Sequence, residues 1–81
     1  MSDEILNPHV TARRVSPERF AHYLLLDKRG GKLGRVEWYG PWRQYVMVAP
    51  STVIWSHDCL TAVSRFLKAA TAREQGVGDG R

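Results

Sequence analysis

The sequence predicts a two-layer α+β fold, in which a three- or four-stranded antiparallel β-meander is covered on one face by a single C-terminal helix. Three observations lead to this fold class. A Gly-Gly pair separates two β-rich stretches, side-chain character alternates through residues 32–39, and an amphipathic helical pattern follows residue 56. Because a single helix covers only one face of a sheet, we expect the other face to remain open.

The first hairpin is predicted around the stretch DKRGGK. The residues before it, FAHYLLLD, are rich in aromatic and aliphatic side chains, as a half-buried strand requires. Gly30 and Gly31 suit the positive φ angles of a tight hairpin turn. We therefore expect the first strand to end at this turn and the second to begin after it.

Alternation in KLGRVEWYG predicts the second strand. Val36 and Trp38 point to one side, where we expect them to pack beneath the helix, and Arg35 and Tyr39 point to the other. The Gly-Pro pair that follows ends the strand, because proline cannot donate a hydrogen bond to a β-ladder.

The stretch WRQYVMVA predicts a third strand, and TVIW is either a short fourth strand or a continuation of the third past a bulge. Alternation alone leaves the orientation of the third strand open. Val46 and Val48 are both β-branched, so we expect them to face the helix, which would place Tyr45 and Met47 on the open face.

The helix is predicted to begin at Ser56 or His57, with Asp58 in its first turn, where a carboxylate favours the positive end of the helix dipole. Its apolar face comprises residues at helical spacing: Cys59, Leu60, Val63, Phe66, Leu67 and Ala70. The glycines of EQGVGDGR are predicted to end it. The resulting organisation is a flexible N-terminal arm over residues 1–17, one domain over residues 18–73 and a disordered tail over residues 74–81.

Composition excludes several classes of protein. The single Cys59 has no partner for an intramolecular disulfide, and the three histidines show no zinc-ligand spacing, so we expect no metal and no cofactor. The chain has no apolar run near the roughly 20 residues that span a bilayer, and its start, MSDEILNPHV, lacks the basic residues of a signal peptide. We therefore expect a cytoplasmic protein.

An enzymatic role is not expected. His57, Asp58 and Cys59 are consecutive, so their side chains leave a helix in different directions and cannot hold a nucleophile beside its base. Cys59 also falls on the predicted core face. The stretch GGKLG lacks the G-x-x-x-x-G-K-[ST] spacing of a phosphate-binding loop and leads into a strand.

A set of short motifs resembles small uncharacterised proteins encoded by tailed phages and prophages. The motifs, which span about residues 20–70, are Gly34-x-x-Glu37-Trp38, Trp42-Arg43-x-Tyr45, Thr52-Val53-x-Trp55, Cys59-Leu60 and Phe66-Leu67. The resemblance implies an origin in a mobile genetic element. It assigns no catalytic residue and no mechanism.

Two groups of residues are candidates for binding. The first is an aromatic and arginine-rich patch, comprising Arg35, Tyr39, Arg43 and Tyr45 on the open face together with Trp42. The second is the basic hairpin, comprising Lys28, Arg29 and Lys32. Tryptophan, tyrosine and arginine are enriched in the energetic centres of protein interfaces, so docking on a protein of the host, of the phage or on a second copy is the favoured function.

Nucleic-acid binding is the alternative. In that case the basic hairpin would contact phosphates and the exposed rings would stack on bases. The formal charge of +4, from 12 basic and 8 acidic residues, is small for a committed DNA-binding domain.

Overall fold

The structure is a computed structural model that describes residues 3–15 and 20–79. Within these residues the chain forms an α+β fold, a five-stranded antiparallel sheet with one α-helix packed on it. The elements are β1 (Asp3–Asn7), β2 (Val10–Arg14), β3 (Tyr23–Leu26), β4 (Lys32–Tyr39), β5 (Gln44–Val48) and α1 (His57–Asp79), with a 3-10 turn at Gly40–Trp42. Strand order in the sheet follows chain order. The predicted α+β fold with one C-terminal helix is confirmed, but the sheet has five strands and not the three or four predicted.

The N-terminal residues form a hairpin, so the prediction of a flexible arm over residues 1–17 is wrong for residues 3–14. β1 pairs with β2, and β2 pairs in turn with β3. Val10 and Ala12 are each only 1% exposed and belong to the hydrophobic core. Residues 1, 2, 16 and 17, and the predicted domain boundary at residue 18, lie outside the described residues.

The turn between β3 and β4 follows the predicted hairpin. The carboxylate of Asp27 accepts hydrogen bonds from the backbone N–H groups of Arg29 and Gly31, each at 2.8 Å. Gly30 has a φ of 85°, which glycine adopts without the steric cost that other residues meet. Side-chain and backbone chemistry therefore both specify this turn.

The core lies between the sheet and α1. Leu25 and Val36 are fully buried, and the edge of the Tyr23 ring packs on Phe66 with centroids 4.9 Å apart. Trp38 lies on the same side of the sheet, as predicted, and stacks on Phe20 at 4.7 Å. The buried cluster comprises Val10, Ala12, Leu25, Val36, Tyr45, Val63, Phe66 and Ala70.

The orientation predicted for the third strand is wrong. In β5, Tyr45 lies opposite Trp38, and Met47 lies opposite Val36. Residues opposite each other in an antiparallel pair share a face, so Tyr45 and Met47 face the helix. Tyr45 is only 5% exposed. The β-branched side chains of Val46 and Val48 did not predict which face they occupy, because valine suits either face of a sheet and does not fix the register.

The segment after β5 contains no strand, so the prediction for TVIW is wrong as well. The chain here leaves the sheet and crosses towards the start of α1. Gly34 permits the crossing, because a Cβ atom at this position would lie 2.8 Å from the carbonyl oxygen of Val48. Ile54 is 95% exposed in this segment, whereas Trp55 packs against the core.

Helix α1 begins as predicted and runs further than predicted. The Ser56 hydroxyl caps it by accepting the backbone N–H of Cys59 at 3.1 Å. The helix continues to Asp79, past the end predicted at residue 73. Glycine costs about 1 kcal/mol per helical position, which lowers helix stability but does not forbid extension of a helix that is already formed. Residues 80 and 81 of the predicted tail lie outside the described residues.

Candidate functional site

The sheet face opposite the helix, called the open face below, carries several aliphatic side chains. Leu24 and Val48 lie opposite Arg35 on either side of β4, and Val46 lies opposite Glu37. Val48 remains 38% exposed. On β1, Ile5 is 76% exposed. Within the described residues, no helix or strand packs over this face, so its apolar groups are accessible to a partner.

Two ion pairs separate the aliphatic groups on the open face. Arg35 donates a hydrogen bond from Nε to Glu37 Oε2 at 3.1 Å. Arg13 makes a two-pronged contact with the Asp3 carboxylate, at 3.0 and 3.2 Å. The hydrogen bond from Arg13 holds the pKa of Asp3 below its ordinary value. The open face therefore carries balanced charge rather than a continuous positive surface.

Tyr39 and Trp42 form an exposed aromatic pair at the end of the sheet where β4 turns into β5. Their rings meet edge to face, with centroids 4.9 Å apart. Trp42 is 65% exposed and Tyr39 is 41% exposed. Pro41 lies in the first turn of the 3-10 segment between them and restricts its backbone. The two rings are thus held in a defined arrangement before any partner arrives.

Arg43 shapes the turn that carries the aromatic pair. It adopts a left-handed conformation with a φ of 52°, and its backbone N–H donates to the carbonyl of Gly40 at 3.1 Å. A positive φ is unusual for a residue other than glycine. Arg43 therefore ends the 3-10 turn rather than standing in β5, where the sequence predicts it.

The predicted binding set is not one surface. Arg35 and Tyr39 lie on the open face with Trp42 at its end, but Tyr45 is buried beneath the helix and belongs to the core. Burial raises the pKa of the Tyr45 phenol. Exposure of Tyr45, as predicted from the sequence, is therefore contradicted.

The basic hairpin lies at the other end of β4 from the aromatic pair. Lys28, Arg29 and Lys32 are all exposed. β4 runs from Lys32 to Tyr39, so at 3.3 Å per residue the two groups are separated by about 23 Å. The structure therefore divides the predicted set into two surfaces that a small ligand cannot contact together.

Cys59 is a free, half-buried thiol at the start of α1. The side-chain hydrogen bond from Ser56 is the largest of the effects that lower the pKa of Cys59. The Asn7 amide also donates to its sulfur at 3.7 Å and so links β1 to the helix. His57 and Asp58 are both exposed, and the His57 Nδ1 atom lies 3.5 Å from Asp58 Oδ1.

Metal-binding and membrane-spanning features are not found in the part of the chain that the structure describes. No group of three or more His, Cys, Asp or Glu side chains is arranged to hold a metal ion in residues 3–15 and 20–79. Over the same residues, no helix is both long enough and apolar enough to cross a bilayer.

A groove of about 680 Å³ runs between β5 and α1, and is called the edge groove below. It includes Met47 and Leu67, which pack partly against the core, and Leu60, which is 48% exposed. This groove was not predicted from the sequence, because Met47 was expected on the opposite face of the sheet. The position of Leu60 did indicate the groove, because this residue lies at the margin of the apolar stripe of the helix.

The open face also includes two residues that were not selected from the sequence. Ile5 was assigned to the flexible arm, and Val48 to the side beneath the helix.

The N-terminal hairpin had a signal in the sequence. In VTARR, Val10 and Ala12 alternate with Thr11 and Arg13. This short period-two pattern, following the turn-forming Asn-Pro, is the signal that indicates the N-terminal hairpin.

Comparison with protein-family models, with curated proteins and with solved structures finds no match to this chain. The resemblance to phage and prophage proteins therefore stays a prediction.

Proposed function

We propose that the chain is a small, non-catalytic binding protein of the phage or prophage type, which docks on another protein through the open face. The aromatic pair, Tyr39 and Trp42, is the anchor of this surface. One observation carries the proposal: Trp42 is 65% exposed although it sits on a restrained turn against a second aromatic ring.

An exposed tryptophan on a restrained turn suits recognition. Its large ring offers apolar area to a partner, and its fixed position reduces the conformational entropy that binding would otherwise cost. Tryptophan and tyrosine are also enriched at the energetic centres of protein interfaces. The aliphatic residues Val48 and Val46 extend the apolar surface along β5 from the same end of the sheet.

The charges of the open face favour a protein over a nucleic acid as the partner. Arg35 is paired with Glu37, and Arg13 with Asp3. Phosphate binding depends on cations that are free to replace counterions, and here a carboxylate already accompanies each arginine. A surface of apolar groups and mixed charges is typical of a protein interface.

The alternative is nucleic-acid binding through the basic hairpin. Lys28, Arg29 and Lys32 form no ion pair with any residue in the described ranges, and the well-defined turn holds them together. Three cations on a projecting β-ribbon can contact phosphates along a groove.

We place this function in the cytoplasm. Cys59 is the only cysteine and is a free thiol, as is common in a reducing compartment.

Photo-crosslinking in the cells that produce the protein tests the proposal. Replacing Trp42 with benzoylphenylalanine keeps an aromatic group at the anchor and makes it reactive towards a bound partner. We expect a discrete crosslinked protein from this position and none from a control probe at Arg29 in the basic hairpin. Crosslinking to protein only at position 29, or to nucleic acid at position 42, would contradict the proposal.

A salt titration tests the alternative. Fluorescence anisotropy with random duplex and single-stranded DNA should show affinity that falls steeply with salt if the basic hairpin binds phosphate. The triple variant Lys28→Gln, Arg29→Gln, Lys32→Gln should then flatten the salt slope, while Trp42→Ala serves as the matched control. If neither DNA binds at low salt, the result would contradict nucleic-acid binding through the basic hairpin.

A further inference from the structure

We propose that the edge groove binds a short, extended segment of a partner protein, which carries an acidic residue and adds to β5 as a sixth strand. This site lies along the edge of β5, where it shares Val46 with the open face, and it does not include the aromatic pair. It would give the protein a second binding surface and the ability to join two partners.

β5 lies at one edge of the sheet. It is the last strand in the order, and within the described residues it pairs on one side only, with β4. On its other side the backbone N–H of Tyr45 points outward, since it donates to the Thr71 hydroxyl at 2.9 Å. Backbone groups alternate in direction along a strand, so the N–H of Met47 points outward too. Thr71 already takes the Tyr45 N–H, so the groups that this edge offers to an added strand are the Met47 N–H and the outward carbonyl groups of Tyr45 and Met47.

The groove beside that edge is an open channel. Helix α1 overhangs β5 and leaves an open channel of about 680 Å³ along it. Leu60, Leu67 and Met47 supply apolar walls. An extended peptide points alternate side chains to the same side, so a strand paired with β5 would direct every second side chain into this channel.

The described lining of the groove carries a single positive charge. Lys68 is the one charged residue among the described residues that line it. It forms no ion pair with any other residue of the described ranges. A lone lysine beside an apolar channel complements a carboxylate on the incoming strand. We therefore assign an acidic, otherwise aliphatic segment as the occupant.

Peptide selection on the full chain tests the proposal. A library of random linear decapeptides is selected on the immobilised protein and counter-selected on Ser64→Trp, a variant that fills the groove from an exposed helical position. The enriched peptides should alternate aliphatic residues with polar ones and contain at least one Asp or Glu. The control Ala69→Trp, on the opposite flank of α1 near β1, should leave their binding unchanged.

Binding of one selected peptide is then located by amide chemical-shift changes. We expect the changes at β5 and at α1 residues near Thr71. Lys68→Glu should weaken binding about two- to tenfold, because an exposed attraction becomes a repulsion. Arg65→Glu, a charge reversal on the other flank of the helix, should have no effect. N-methylation of alternate peptide amides should weaken binding at least about tenfold by removing ladder hydrogen bonds.

Three results would overturn the proposal, provided that circular dichroism shows each variant folded. The first is failure to enrich any peptide above the Ser64→Trp counter-selection. The second is a set of shifts on the open face around Trp42 instead of along β5. The third is a dimer of the parent protein, seen by sedimentation without peptide, that is absent in Ser64→Trp. In that case the occupant of the groove would be a second copy of the chain.

Discussion

The backbone N–H of Tyr45 donates a hydrogen bond to the side-chain oxygen of Thr71, 2.9 Å away, and this contact ties the edge strand β5 to α1. The two residues lie 26 positions apart in the chain. The bond satisfies one outward backbone group of an edge strand that would otherwise depend on water or on another chain. It also fixes one side of the edge groove.

Replacing Thr71 with valine should show what this contact contributes. Valine keeps the branched shape but removes the hydroxyl, so the Tyr45 N–H loses its partner, and we expect a loss of about 1 kcal/mol in the free energy of unfolding. Urea denaturation measures it. Thr71→Ser, which keeps the hydroxyl, should retain most of the stability. A loss of stability in Thr71→Ser but none in Thr71→Val would show that the methyl group, not the hydrogen bond, matters.

Tyr45 is buried and Trp42 is exposed, so truncation of the two side chains should lower the free energy of unfolding by very different amounts. Tyr45 is 5% exposed and packs on Trp38 at 5.4 Å, so Tyr45→Ala should cost about 3 kcal/mol of unfolding free energy. Trp42→Ala removes an exposed ring and should cost less than about 1 kcal/mol. Thermal and urea unfolding of both variants provide the comparison. If Trp42→Ala lost more stability than Tyr45→Ala, the result would support the orientation of β5 that the sequence predicts.

Gly34 and Gly40 form a matched pair for testing the path of the chain after β5. A Cβ atom at Gly34 would lie 2.8 Å from the Val48 carbonyl oxygen and 3.1 Å from the Ala49 Cβ, whereas one at Gly40 meets nothing within 4 Å. Gly34→Ala should therefore cost about 1 to 3 kcal/mol through overpacking. Gly40→Ala should be within about 1 kcal/mol of the parent. Similar midpoints of unfolding for the two variants would argue against a path of the chain that passes close to Gly34 after β5.

Turn chemistry and alternation predicted the centre of the sheet from the sequence. The Gly-Gly turn and the regular pattern around Val36 and Trp38 depend on local preferences, which the structure retains. The orientation of β5 was not predictable in this way, because the register with β4 decides it. A shift of one residue exchanges the faces of Tyr45 and Val46.

The N-terminal hairpin was missed for a different reason. Its strands are short and polar, and their burial depends on contacts distant in the chain, such as the one between Asn7 and Cys59 across 52 positions. For the candidate site, Trp42 was selected from the sequence as a binding residue, but it was placed in the third strand and not in the 3-10 turn where the structure has it. The edge groove was not predicted, because it requires the packing of α1 against β5.

The contact between Ser56 and Cys59 predicts a measurable change in thiol reactivity. The Ser56 hydroxyl is the main cause of the lowered pKa of Cys59. In Ser56→Ala the pKa should move upward, so the pH midpoint of iodoacetamide alkylation should rise and the rate at neutral pH should fall. The variant should also lose about 1 kcal/mol through the missing helix cap. Ser56→Thr should preserve both properties, and an unchanged midpoint in Ser56→Ala would contradict the assigned cause.

The affinity of the crosslinked partner for two variants tests most directly whether the protein docks through the aromatic pair. Trp42→Ala should weaken binding at least about 30-fold, as expected for a residue at the energetic centre of an interface. The triple variant Lys28→Gln, Arg29→Gln, Lys32→Gln should stay within about threefold of the parent, because the basic hairpin lies at the far end of β4. Loss of binding in the triple variant, with affinity retained in Trp42→Ala, would contradict the account.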